Sequence, residues 1–159
     1  MLPLGGSITL GKLLPIIFFT YFYGLKSGIF AGIVYSFLQI IIFFHIPPAK
    51  TAFSFLTVIL LDYTLPYVFI GLTHIFKNYF SSIKKYFTAS ILFSYGIRFI
   101  SSVTSGVLVW GAYVPNEYNV WIYSICYNLI YIIPEMLISL VVCNILLNFF
   151  TLKNANHTF

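Results

Sequence analysis

Residues Trp121–Glu135 read WIYSICYNLIYIIPE and lie inside a longer apolar run, Val120–Phe150. The run reads as one helix of membrane length. Ser124, Asn128, Tyr131 and Glu135 recur at i, i+4, i+7 and i+11, so a helix puts them on one face. Tyr123 and Tyr127 lie beside that stripe, and the opposite face is Ile, Leu and Val. A stripe of amide, hydroxyl and carboxylate is costly against lipid. It must line a cavity or pack on another polar helix.

The rest of the chain has the same character. Its 159 residues are 60% hydrophobic and 7% charged, with a mean hydropathy of +0.99. A soluble domain carries about 25% charged residues. So much apolar surface exceeds what a soluble core of this length buries. The runs are long, and strict alternation is weak, so they read as helices rather than strands of a membrane barrel. The expectation is an all-α integral membrane protein, one membrane domain over residues 1–159.

Five spans are predicted, at about residues 11–25, 27–46, 51–76, 86–113 and 120–152, preceded by an outer segment, 1–10. Gly24, Gly28, Gly32 and Ser36 repeat every fourth residue and let helix backbones approach closely. Packing inside the bundle is the favoured use of that row over a contact with another subunit. Tyr35 and Gln39 form an i, i+4 polar pair. Pro66 is expected to loosen the backbone just after it.

Charge sets the expected orientation. Lys26, Lys77, Lys84, Lys85 and Lys153 fall on one side, and Lys50, Glu117 and boundary residue Lys12 on the other. Positive residues favour the cytoplasm, so the C-terminus is expected inside a cell membrane. The net charge of +5 then reports topology rather than nucleic-acid binding. Cys126 and Cys143 form no metal-spaced cluster with His45, His74 and His157. Catalytic signatures are absent too, with no nucleophile elbow, Walker loop or HExxH.

The ionisable residues deep in the spans are Asp62, Arg98 and Glu135. An Arg98 ion pair lowers the cost of burying a carboxylate, and two carboxylates face one arginine. One is left for a cationic ligand. Glu135 is assigned to Arg98, and Asp62 to the ligand. Trp110, Tyr63, Tyr123 and Tyr127 offer aromatic faces for stacking and cation–π attraction, while interfacial anchoring explains Trp110 and Trp121 equally well.

Five segments carry a family resemblance: GGSITLGKLLPI, the glycine row ending in FLQ, LLDYTLPY, SGVLVWGAYVP and YSICYNLIYIIPE. In that order they resemble the thiamine-specific S component of energy-coupling-factor (ECF) vitamin transporters. The resemblance implies a helical membrane subunit without enzymatic activity or cofactor. It implies high-affinity thiamine binding near the outer face, and partnership with a transmembrane coupling protein and two ATPases. It further implies that Trp110 and Tyr123 contact the thiamine rings, that Asn128 hydrogen-bonds the aminopyrimidine, and that Asp62 and Tyr63 form an acidic-aromatic pair at the ligand. Tyr127, Ser102 and Glu135 complete the expected site.

There are departures from the pattern. Ser102 stands where the family has a histidine, Asp62 is one methylene shorter than the family's glutamate, and an outer-loop tryptophan has no counterpart in LPLGGSI. The family's first helix is also unmatched, giving five spans instead of six. A truncated chain or a start assigned late is the expectation. A precursor-specific S component, for the pyrimidine or the thiazole moiety, is the alternative function. A membrane enzyme or a structural assembly partner is the other.

Overall fold

Gly24 makes the first corner. The computed structural model describes residues 11–156, with side chains through residue 149. Helix α1, Leu14–Tyr23, has Pro15 in its first turn and ends at Gly24. Gly24 has φ of +88°, a left-handed value that favours glycine. Helix α2, Leu25–Phe43, starts immediately after it. Gly24 is therefore the corner rather than a member of the packing row. Gly28 and Gly32 do pack. A Cβ on Gly28 would meet Thr20 and the backbone of Gly71, and one on Gly32 would collide with the carbonyl of Tyr67. The row thus serves contacts within the bundle, as expected.

Helix α3 runs Ala52–Asn78. Thr51 caps it by accepting a hydrogen bond from the Ser54 backbone N–H at 3.2 Å. Its centre is not regular. Ile59–Thr64 form a π-helical turn, Leu65–Val68 return to α, and Phe69–Asn78 tighten to 3-10. The loosening expected after Pro66 instead lies before it. The proline ring crowds the carbonyl one turn earlier, and the widened turn relieves that clash. Within it the Leu65 N–H reaches back to the Leu60 carbonyl, and the Thr64 hydroxyl donates to the Ile59 carbonyl at 2.8 Å.

Helix α4, Ile83–Leu108, leads into a single 3-10 turn, Trp110–Tyr113. Asn119 then starts α5, its side-chain oxygen accepting from the backbone N–H groups of Trp121 at 2.9 Å and Ile122 at 3.3 Å. Helix α5, Val120–Asn156, contains Pro134.

Four of these helices, α2 to α5, are long and apolar enough to cross a membrane, and α1 is a shorter apolar helix. At ten residues, α1 is about 15 Å long, half a bilayer core. It is shorter than the expected first span, because Gly11 with φ of +74° and Pro15 delay its start. The burial pattern suits a lipid solvent. Phe30, Phe37, Ile41, Leu137 and Val141 are exposed, while Ser90, Ser94, Ser101, Ser105, Ser124, Asn128, Glu135 and Ser139 are buried. In water that arrangement would be inverted. The described residues form the expected all-helical bundle, without strands.

One end of the bundle is solid. Leu13, Ile17, Ile70, Tyr86, Phe87, Ile91 and Tyr95 form its core, and Lys77 caps it over the Tyr21 ring at 4.5 Å. The other end is hollow. Residues 1–10, expected as an outer segment, lie outside the described residues.

Candidate functional site

The hollow end encloses a cavity of about 430 Å³ walled by α2, α3, α4 and α5. That volume is in the range of small-molecule sites. Each wall follows from local structure. The π turn of α3 presents the consecutive residues Asp62 and Tyr63 to the cavity, and π turns recur at functional sites for this reason. The α4 wall is a row of small residues, Ser102 and Gly106, ending in Trp110. A Cβ on Gly106 would overlap the Ser124 hydroxyl oxygen, so any larger residue has to displace that side chain. The α5 wall is the polar stripe predicted from its spacing.

Asp62 anchors one side. Its Oδ2 accepts hydrogen bonds from the Ser105 hydroxyl at 2.7 Å and the Trp110 indole N–H at 3.0 Å. Both donors are neutral. Trp110 is thereby held in the wall, stacked on Tyr113 with ring centroids 6.3 Å apart and planes 20° apart. Tyr63 is held as well, donating to the Phe43 carbonyl at 2.7 Å and accepting from the His45 backbone N–H at 3.1 Å.

Across the cavity, Tyr123 and Tyr127 are parallel, 5° between planes and 6.4 Å between centroids. Asn128 is buried. It donates to the Ser124 carbonyl at 2.8 Å, and its amide oxygen accepts from the Tyr131 hydroxyl. These two bonds set the orientation of the amide.

The floor is charged. Arg98 bonds Glu135 at 2.5 Å, so the pair assigned from sequence is formed. Arg98 also lies over the Tyr131 ring, 5.7 Å from its centroid. The Lys12 ammonium is 4.0 Å from the other Glu135 oxygen. That overturns the sequence view of Lys12 as a boundary charge. Because α1 starts late, Lys12 enters the cavity rather than a loop, and Glu135 faces two cations.

Seven of the eight expected site residues line the cavity: Trp110, Tyr123, Asn128, Asp62, Tyr63, Tyr127 and Ser102. Glu135 does not. It is fully buried beneath the floor, held by Arg98 and Lys12. Sequence reasoning omitted Lys12, Tyr35, Gln39, His45, Tyr67 and Tyr131 from the site, all of which line it. Tyr35 and Gln39 carried a signal, a polar pair on an apolar helix, and they are joined by a bond of 2.8 Å. Tyr131 belonged to the stripe. Lys12 and His45 sit at helix ends, where periodicity carries no information. Among the described residues no group of three His, Cys, Asp or Glu side chains could hold a metal.

The arrangement suits a small, flat, aromatic molecule. Tryptophan and tyrosine faces stack on its rings. An amide and hydroxyls meet its polar edges. A carboxylate whose hydrogen-bond donors are both neutral is placed to pair with a cation.

The profile of the family described as Thiamine transporter protein matches residues 1–154. The thiamine transporter ThiT of Bacillus subtilis (strain 168) is 29% identical over 157 residues, covering 89% of this chain and 74% of the relative. A solved structure of ThiT from Listeria monocytogenes superposes with a TM-score of 0.72 at 20% identity, covering 93% of this chain and 82% of that one. That similarity supports the helical fold. The family match spans nearly the whole chain, and with it the chain belongs to the thiamine transporter protein family, multi-pass membrane proteins that are transporters and not enzymes.

Proposed function

We propose that this chain is the thiamine-capturing S component of an ECF-type uptake transporter. The observation that carries the reading is the cavity wall, where Asp62, Trp110, Tyr123 and Asn128 converge in a chain of this family. The thiazolium cation lies toward Asp62 and the Trp110 face. The aminopyrimidine lies between the tyrosines and bonds Asn128. High affinity comes from walls ordered before the ligand arrives, since Trp110, Tyr63 and Asn128 are already held by protein partners.

The chain has no phosphate-binding loop in its sequence, so energy comes from partners, a transmembrane coupling protein and two ATPases. The hollow end faces outward and the C-terminus is cytoplasmic. The lysine excess of the 26, 77, 84 and 85 positions, at the solid end, supports that orientation. Partners would be isolated by co-purification of the tagged chain from its membrane.

Purified protein titrated with thiamine tests the reading. Saturable quenching of tryptophan fluorescence at one-to-one stoichiometry is expected. The isolated pyrimidine and thiazole rings, titrated in parallel, separate thiamine from its precursors. Tighter binding of a single ring than of thiamine would replace this reading with the precursor-specific one. That alternative draws support from Ser102, where the family pattern has histidine.

A further inference from the structure

We propose that Glu117 and Tyr118, on the loop between α4 and α5, form an outer capture site that takes the ligand before it enters the cavity. The proposal rests on the thiamine reading above and concerns the route in rather than the seated pose.

A ladder of rings carries it. Tyr118 is exposed on the loop, and its ring centroid is 6.3 Å from that of Tyr123. Tyr123 is 6.4 Å from Tyr127, and Tyr127 is 5.7 Å from Tyr131. Tyr123, Tyr127 and Tyr131 line the cavity, and Tyr118 does not. The four rings therefore make one aromatic track that begins outside the cavity and ends at its floor, where Arg98 lies over Tyr131. Helical spacing accounts for the inner three, at i, i+4 and i+8 on α5. It does not account for Tyr118, which precedes that helix. Each step is within the range over which aromatic faces interact, so a flat ring moves along the track without losing aromatic contact.

The backbone fixes the outer station. The Tyr118 N–H donates to the Pro115 carbonyl at 3.0 Å, closing a turn, and Asn119 caps α5 on the other side. Glu117 is exposed in the same turn. The sequence has three acidic side chains. Asp62 lies in the cavity wall and Glu135 beneath its floor, so Glu117 is the one presented to solvent. Its loop, 114–119, contains no lysine or arginine, and Val114 of that loop lines the cavity, which places Glu117 at the rim. In the pose above the aminopyrimidine sits deeper than the thiazolium. The neutral ring then leads along the tyrosines, and the cation trails past Glu117 to Asp62.

Stopped-flow fluorescence on the purified full chain would follow thiamine association and dissociation at low and high salt. Tyr118→Leu removes a contact made while the ligand crosses the rim and absent once it is seated. Both rate constants should therefore fall by the same factor, about two- to tenfold for one aromatic contact, with the Kd unchanged. Tyr118→Phe should restore both rates. A merely structural role for Tyr118 would change the Kd instead. Glu117→Gln should slow association about twofold at low salt, the attraction of one charge pair about 10 Å apart in water. At about 1 M salt, where charges are screened within about 3 Å, it should match the wild type. Melting temperatures check that each variant is folded. Wild-type rates in either Tyr118→Leu or Glu117→Gln, or faster dissociation alone in Tyr118→Leu, overturn the capture site and leave the thiamine reading standing. Failure of thiamine to bind the folded wild-type chain overturns both.

Discussion

The indole N–H of Trp110 donates to the Asp62 carboxylate at 3.0 Å across 48 residues of sequence. The bond joins the end of α4 to the π turn of α3. It sets the plane of the tryptophan and holds the carboxylate against the cavity, so the aromatic face and the anion are positioned together.

Asp62→Asn is expected to weaken thiamine binding by about 10- to 100-fold, the worth of an interaction with a charged partner. The amide oxygen still accepts from Ser105 and Trp110, so the fold survives. Calorimetric titration and a melting curve on the same preparation check both halves. Full affinity in the variant would show that the cation is held by aromatic faces alone.

Trp110→Phe removes the indole donor but keeps an aromatic face. Most of the ligand-induced fluorescence change should disappear, leaving any contribution from Trp121, which is exposed on α5. Affinity should fall by less than a whole cation–aromatic contact, about 0.5–2 kcal/mol, because the phenyl ring keeps part of it. Quenching as large as in the wild type would move the stacking role to another ring.

Glu135→Gln should be the most destabilising of the single changes. It leaves Arg98 and Lys12 as neighbouring cations in a buried floor without their carboxylate. Breaking a buried ion pair from one side costs about 3–5 kcal/mol. A large fall in melting temperature is expected, with weaker loss of thiamine binding at a temperature where the variant remains folded. A stable variant that fails to bind would make Glu135 a ligand contact.

Asn128→Leu tests the stripe. The change removes the amide proposed to bond the ligand and also leaves the buried Tyr131 hydroxyl without its Asn128 acceptor. Binding should be lost, with a destabilisation of about 1–3 kcal/mol from the unpaired hydroxyl. Combining it with Tyr131→Phe should recover stability without recovering binding. Recovery of binding in the double variant would reduce Asn128 to a structural partner of Tyr131.

Much of this protein is legible one helix at a time. The composition selects lipid as the solvent. The spacing of Ser124, Asn128, Tyr131 and Glu135 selects the inward face of α5, because helical period is a local property of the chain. The deep charges are few enough that electrostatics alone pairs Arg98 with a carboxylate. The glycines at 28 and 32 mark where backbones meet, since other residue types would collide there. What local pattern cannot encode is how far one helix is displaced along another. That displacement comes from packing, from Gly28 against Gly71 and Gly32 against Tyr67, and it decides which residues share a depth. It brings Ser105 and Trp110 to Asp62, and adds Tyr35, Gln39 and His45 to the cavity. It also carries Lys12 from an expected boundary to the floor, where its charge meets Glu135. Sequence determined the solvent, the helices and their polar faces. Tertiary structure decided the depth of each charge, because electrostatic partners are chosen by distance in space and not by position along the chain.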